Sequence, residues 1–322
     1  IIIGGGAGGL ELVTKLGRKY KKQEDIEVML IDRNYAHIWK PLLHEVAAGT
    51  LNSNDDELSY LAQGHWNHFE FRLGELSALD RQKKAVTIAA SYDDSGEEYL
   101  PERVIPYDIL VIAVGSVTND FGIDGVADHC FFLDGRYQAD DFHKHLVRSC
   151  YTANAQETPL REGQLHIAIA GAGATGVELA AELHHSIHTL VDFGLQNLSL
   201  EQNLKIHLIE GSPRILPGLT EKISEATHDA LKSIGVEVHV NEFVSQADAY
   251  GFHTKSGRSI PAEIKVWAAG IKGPEVLAHL DGLETNHSNQ LIVNEHLQVS
   301  GDSSIYAIGD CAACKIGEDQ FA

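Results

Sequence analysis

Residues 167–185 read IAIAGAGATGVELAAELHH. A short apolar strand runs into Gly171, Gly173 and Gly176, and a helix-length stretch follows. In a GxGxxG turn the first glycine permits the tight bend, the second lets the backbone approach a pyrophosphate, and the third lets helix and strand pack closely. The helix start then offers unpaired N–H groups and a positive dipole end to phosphates. One such turn is weak evidence, because any tight strand-to-helix connection favours glycine. The chain, however, opens with the same device. IIIGGGAGGLELVTKLGRK starts at residue 1, with Gly4, Gly6 and Gly9 in the matching places and a helix expected to about Tyr20.

Working outward, each turn is followed by the same series. After the first comes the strand IEVMLIDRN ending at Asp32, a hairpin from AVTIAA and EEYLPERV around SYDDSG, and the apolar strand YDILVIAVGS ending at Gly115. After the second comes LKIHLIEG ending at Glu210, the hairpin GFHTKSGRSI turning at Lys255–Gly257, and EIKVWAAGI ending at Gly270. Strands apolar on both faces belong to a helix-covered parallel sheet. The fold class expected is therefore α/β, with two tandem Rossmann-like three-layer dinucleotide-binding domains. The boundaries expected are 1–119 with 288–322 for the first domain, and 120–287 for the second. LIVNEHLQV and SIYAIGD are the elements by which the chain returns to the first domain.

An acid at the end of the second strand accepts hydrogen bonds from ribose hydroxyls and repels a 2′-phosphate. Asp32 stands close to the usual spacing after Gly9. Glu210 lies farther past Gly176, and the segment DFGLQNLSLEQN (192–203) accounts for the excess as a loop. Glu210 favours NADH over NADPH, with Arg214 near enough to weigh against it. Two dinucleotide sites in one chain imply hydride passage from a nicotinamide to a flavin.

The net charge is −21, from 25 Lys and Arg against 46 Asp and Glu. Such a surface repels phosphate backbones, so no nucleic-acid partner is expected. No apolar run approaches the ~20 residues of a membrane span. The chain opens inside a strand without Met, so a few preceding residues are expected. Four cysteines, of which only Cys311 and Cys314 are close in sequence, do not form a disulfide framework and suit a reducing compartment.

Read in order, GGGAGGLE, HIWKPLLHEVAAGTL, YDILVIAVGS, GAGATGVELAAEL, VWAAGIK and IYAIGDCA resemble the type II NADH:quinone oxidoreductases. These are single-subunit, non-proton-pumping respiratory flavoenzymes, and the resemblance covers essentially the whole chain. It implies FAD in the first domain, held by Gly4, Gly6, Ala7, Gly8, Gly9, Asp32 and Arg33, by Lys40, Pro41 and Leu42 near the isoalloxazine ring, and by Ala113, Gly115, Gly309 and Asp310. It implies NADH in the second, held by Gly171, Gly173, Ala174, Thr175, Gly176, Glu210, Ala269 and Gly270. Glu178 is the implied catalytic residue, facing the flavin–nicotinamide region. It also lies two residues past Gly176, where the helix dipole favours an anion.

The activity implied is hydride transfer from NADH to flavin and delivery of two electrons to a quinone. The family continues beyond Ala322 into a quinone-side motif and amphipathic helices. Peripheral attachment to the cytoplasmic side of the cell membrane is expected through that region, residues 1–322 being soluble alone. A homodimer is the assembly the resemblance admits. The competing readings are a sulfide:quinone or ferredoxin-type reductase of the same superfamily, and a redox-sensing flavoprotein that only controls a partner.

Other groups read more plainly. Cys311 and Cys314 have redox-pair spacing, but in flavin disulfide reductases of this superfamily the active pair lies early in the flavin domain or inside the pyridine-nucleotide domain, so the two read as small residues packed beneath the flavin arm, with a dithiol or soft-metal role as the alternatives. His184, His185 and His188 share one helix without a carboxylate partner, and no metal centre is expected. Asn54-Asp55-Asp56-Glu57 reads as a loop and helix start. His44 and Glu45 read as loop-orienting residues, with proton handling as the alternative.

Overall fold

The computed structural model describes residues 1–52, 57–93, 95–195, 197–199 and 203–315. The 54–56 part of the expected helix start, Asp94 of the SYDDSG turn, and residues 196 and 200–202 of the expected long loop lie outside them. Two compact units emerge. One comprises Ile1–Trp39, Glu57–Val117 and Ile271–Ala322; the other comprises Lys40–Asp56 and Thr118–Gly270. Residues 271–287 thus fall in the first unit and 40–56 in the second, whereas the sequence reading divided the chain at 119/120 and 287/288.

The first unit is built on a five-stranded parallel sheet, ordered Ile305–Ala307, Leu110–Ile112, Ile2–Ile3, Met29–Asp32 and Glu70–Leu73. Side chains alternate between faces along a strand, and here both faces are buried. Ile2, Leu30 and Val111 cluster with Val13 of the helix Ala7–Tyr20. Ile3, Ile31 and Ile112 pack instead with Val86, Ile88 and Ile105. Those last three belong to an antiparallel sheet of Leu76–Asp80, Ala85–Ile88 and Arg103–Pro106. Two layers on a central sheet follow directly from apolar residues at successive positions.

The second unit repeats the plan. Its parallel sheet runs Ile264–Trp267, His166–Ala170, Lys205–Ile209, Val236–His239. Strand for strand this matches the first unit, except that among the described residues no full strand stands where Ile305–Ala307 stands. Phe131 takes that place alone, in a parallel bridge to Val266. Its N–H donates to Lys265 O at 2.8 Å, and its carbonyl accepts from Trp267 N at 2.9 Å. The covering antiparallel sheet is Val244–Ala247, Gly251–Thr254 and Ser259–Pro261. Phe252 and Ile260 from it cluster with Ala168, Ala170, Ile209 and Trp267.

The ladders are shorter than the apolar runs that announced them. YDILVIAVGS forms a strand only over Leu110–Ile112, with Ala113 N still donating to Ile3 O at 2.7 Å.

The helix Arg136–Ala155 buries Phe142 completely, edge-on to Phe131 with ring centroids 5.2 Å apart. Phe142 therefore holds the one-residue substitute for a strand. Phe142→Ala is expected to destabilise the protein by about 3–5 kcal/mol. Tyr137→Ala on the exposed side of the same helix should stay within about 0.5 kcal/mol. Chemical denaturation of both variants checks the pair; equal effects would remove Phe142 from this role.

Candidate dinucleotide sites

The two glycine turns are near copies in their backbone. Gly4 and Gly171 have φ +101° and +104°, conformations that favour glycine. Their N–H groups donate to Ile31 O and Ile209 O, both at 2.8 Å. A Cβ on Gly9 would come within 1.9 Å of Gly4 O, and one on Gly176 within 2.0 Å of Gly171 O. These third glycines are required by helix-on-strand packing.

The second glycines differ. Gly6 and Gly173 have φ −61° and −72°, which any residue adopts. A Cβ on either would meet nothing within 4 Å. Neither conformation nor packing explains glycine there. An open cradle of backbone does, if it faces a group that must come closer than a methyl would allow. Both helices beginning there, Ala7–Tyr20 and Ala174–Asp192, lack a capping side chain and an acid in the first turn. Their first N–H groups suit an anion.

The strand-end acids lock the turns. Asp32 Oδ2 accepts from Gly5 N at 2.6 Å, and Oδ1 accepts from Asn34 N at 2.7 Å. Glu210 repeats this with Ala172 N at 2.9 Å and Ser212 N at 2.8 Å. A carboxylate offers about four lone-pair sites, so capacity for ribose hydroxyls remains. Sequence reasoning missed what covers the carbonyl of the second turn residue. Tyr60 donates its hydroxyl to Gly5 O at 2.7 Å, while Leu216 N donates to Ala172 O at 2.8 Å. Burial first, then the charge of Asp32, raise the Tyr60 phenol and keep it a donor. A buried Tyr was legible as a core residue; its aim at Gly5 was not.

Around the second turn lies a cavity of about 330 Å³, in the range of small-molecule sites. Gly171, Gly173, Glu210, Ala269 and Gly270 line it, together with the exposed rings of Phe121 and Phe243. Glu242 stands beside Glu210 in the wall. Arg214 is not in that lining; its guanidinium donates to Leu216 O at 3.5 Å and Pro217 O at 2.8 Å. Ala174 and Thr175 are the first residues of the helix, as Ala7 and Gly8 are in the first unit.

In the first unit, Gly115 and Gly309 both have positive φ at the carboxyl ends of adjacent strands. Asp310 follows, accepting from the buried Ser116 hydroxyl at 2.9 Å. The carboxyl ends of parallel strands are where such sheets bind ligands. Ser116 carried no signal of its own beyond its place after Gly115. Ala113 lies under Gly4, whose Cβ would meet Ala113 O at 2.3 Å. Arg33 is exposed and paired to Glu75 at 3.3 Å. Lys40, Pro41 and Leu42 form a short 3-10 turn leading into the helix Leu43–Ala48.

That helix buries His44, whose Nδ1 lies 3.6 Å from Glu178 Oε2. Glu178 is half-exposed and is the fifth residue of its helix, one turn past the N-terminus. The dipole effect falls off within the first turn, so it accounts for little of this carboxylate's placement.

The cysteines are all free. Cys311 is fully buried, and its thiol donates to Ile308 O and Ile112 O. Burial raises it, and pushes Cys130 up to about 12 and Cys150 to about 11. Nucleophilic thiols are of the opposite kind, exposed and lowered.

The sequence matches the family described as pyridine nucleotide-disulphide oxidoreductase over residues 1–321. A type II NADH:quinone oxidoreductase of Haemophilus influenzae is 43% identical, the match covering 97% of this chain and 73% of that protein. One from Staphylococcus aureus is 30% identical, over 97% and 74%. Among solved structures, NDH2 from Plasmodium falciparum in complex with NADH has a TM-score of 0.83 and 26% identity. There 97% of this chain is covered but 64% of the other, so the chain spans under two thirds of that protein. The sulfide:quinone oxidoreductase of Aquifex aeolicus, 20% identical with a TM-score of 0.73, shares the fold.

Two classes of glycine substitution should separate. Gly9→Ala and Gly176→Ala force a Cβ onto a carbonyl and should lower the unfolding midpoint strongly or abolish folding. Gly6→Ala and Gly173→Ala should leave that midpoint nearly unchanged and weaken dinucleotide binding by at least about tenfold, the cost of losing roughly one charge-assisted hydrogen bond. Thermal melts and equilibrium binding on each variant check this. Normal binding by Gly6→Ala and Gly173→Ala would show that the cradles face nothing.

Proposed function

The chain belongs to the type II NADH:quinone oxidoreductases, within the pyridine nucleotide-disulphide oxidoreductase family, and from that premise we propose that it oxidises NADH through bound FAD and delivers the electrons to a quinone. The observation that carries the reading is the repeat of an open second-glycine cradle above an uncapped helix start, once in each unit. FAD and NADH each contain a pyrophosphate of the charge and size such a cradle takes. Bound FAD supplies a hydride acceptor that can release electrons onward singly or in pairs.

We assign FAD to the first unit. Gly6, Ala7 and Gly8 give backbone N–H groups to its pyrophosphate, and Asp32 takes the ribose hydroxyls. Asp310, oriented by Ser116, meets its ribityl–phosphate arm. We assign NADH to the second unit. Gly173, Ala174 and Thr175 hold its pyrophosphate, and Glu210 holds the adenosine ribose. Phe121 and Phe243 offer aromatic faces to the adenine across the cavity. The acceptor is a quinone, a lipid-dissolved molecule, and the working location we propose is peripheral, at the cytoplasmic face of the membrane. No helix among the described residues is long and apolar enough to cross one.

His44 and Glu178 form a buried-to-exposed pair suited to moving a proton toward reduced quinone. His44 is the inner member, and Glu178 the one open to solvent.

Anaerobic NADH should bleach the visible flavin absorption of the purified protein, and NADPH should do so far more slowly. Glu210→Gln should narrow that preference only partly, because Arg214 is engaged with Leu216 and Pro217. Equal use of NADPH by the unaltered protein would remove the role given to Glu210. No bleaching by either nucleotide would overturn the function itself.

Glu178→Gln should slow quinone turnover while leaving NADH oxidation by ferricyanide near normal. His44→Gln should do the same, and each should shift the pH profile of the quinone reaction only. Stopped-flow measurement of the two half-reactions separates them; unchanged quinone rates in both variants would reduce the pair to packing.

A further inference from the structure

The second unit carries a cluster that the dinucleotide reading does not use. His207 lies in the strand Lys205–Ile209, opposite Glu237 of Val236–His239. His239 is two residues beyond Glu237, and so returns to the same face of the sheet. His207 Nδ1 is 3.2 Å from His239 Nε2 and 3.4 Å from Glu237 Oε2; His239 Nε2 to Glu237 Oε2 is 3.9 Å. Among the described residues these three form the one group of His, Cys, Asp or Glu placed to share an ion.

The edges of that triangle are informative. Zinc bound to nitrogen or oxygen at 2.0–2.1 Å in a tetrahedron separates adjacent ligand atoms by roughly 3.3 Å. Three donor atoms converge at about that spacing. Lys205 Nζ lies 3.7 Å from Glu237 Oε1, on the oxygen that does not face the rings. The carboxylate is thereby turned with Oε2 inward. Both imidazoles are buried, and burial lowers both, His207 to about 4. His166, with its ring 5.8 Å from His207, is lowered by burial too. Arg258 is the cation that bears on His239. His207 Nε2 is buried and meets no partner, so nothing on that side fixes which nitrogen carries the proton.

We propose that His207, Glu237 and His239 bind one divalent cation of the zinc class, with water in the fourth position. Glu237 is half-exposed and gives the ion its way in. Two imidazoles and one carboxylate are the ligand set of open, four-coordinate zinc sites. The ion would tie the strands Lys205–Ile209 and Val236–His239 together just before Asn241 and Glu242, and His239 O already accepts the Glu210 N–H at 2.8 Å. Occupancy would therefore stiffen the strand end from which one wall of the cavity hangs.

The test uses flavin-loaded protein without an affinity tag, stripped of metal and titrated with Zn²⁺. Co²⁺ is titrated separately, because its visible spectrum reports coordination geometry. One saturating equivalent is expected that survives added salt, which screens loose attraction to the acidic surface. The Co²⁺ spectrum should be that of a four-coordinate nitrogen–oxygen site, and Zn²⁺ should raise the unfolding midpoint. Glu237→Gln and His239→Gln should each weaken Zn²⁺ by at least about tenfold. Glu237→Gln should keep its metal-free unfolding midpoint, so that lost binding is not lost folding. Cys311→Ser with Cys314→Ser should still bind one equivalent. The proposal is overturned by the lack of any saturable equivalent, by unchanged affinity in Glu237→Gln and His239→Gln, or by binding that disappears only with the two cysteines.

Discussion

The structure depends on a clamp made by one carboxylate. Asp32 and Glu210 each take one N–H from the glycine turn and one from the chain just past their own strand. Hydrogen bonds to a charged group contribute about 1.5–3 kcal/mol each. The greater effect is geometric. The turn and the neighbouring strand end are joined through a single side chain, and this fixes where the second glycine sits. The helix start is fixed with it, and so is the direction in which its free N–H groups point. An acid usually described by what it does for a ribose is also the part that builds the cradle.

The sequence made the repeat plain because its signals are local. Glycines at fixed offsets, an acid at a strand end and a closing apolar strand all lie within short windows, and each has one physical reading. What it did not show arises from pairs distant along the chain. Phe131 stands in for a whole strand, yet CFFLDG carries no strand pattern. Tyr60 reaches Gly5, and Ser116 reaches Asp310, through contacts that no spacing rule encodes. His207 and His239 look like two unrelated histidines until parallel pairing puts them on one face. The segment Lys40–Ala48 groups with the second compact unit, its apolar residues Leu43, Val46, Ala47 and Ala48 buried, and no local pattern announces that grouping.

The copies also show which parts of the design are free to vary. The carbonyl of the second turn residue needs a donor, and the units supply different ones, a tyrosine hydroxyl and a backbone N–H. The backbone plan is held, while the side chains that complete it are local solutions. A ferredoxin reductase and a sulfide:quinone oxidoreductase, each 20% identical, share this fold with TM-scores of 0.72 and 0.73. The sheet order alone therefore does not decide which reaction a chain performs.

The strand Ile305–Ala307 pairs with Leu110–Ile112, and this has a consequence for how the protein is made. A ribosome releases the amino-terminal strands first. The edge of Leu110–Ile112 is then left without its partner while the chain from Thr118 to Gly270 is synthesised. That later stretch contains every strand of its own parallel sheet, so it can close while the earlier one waits. A bare strand edge is a template for pairing with other chains. The ladder between Leu110–Ile112 and Ile305–Ala307 is thus the last of this sheet's ladders that the order of synthesis allows to form.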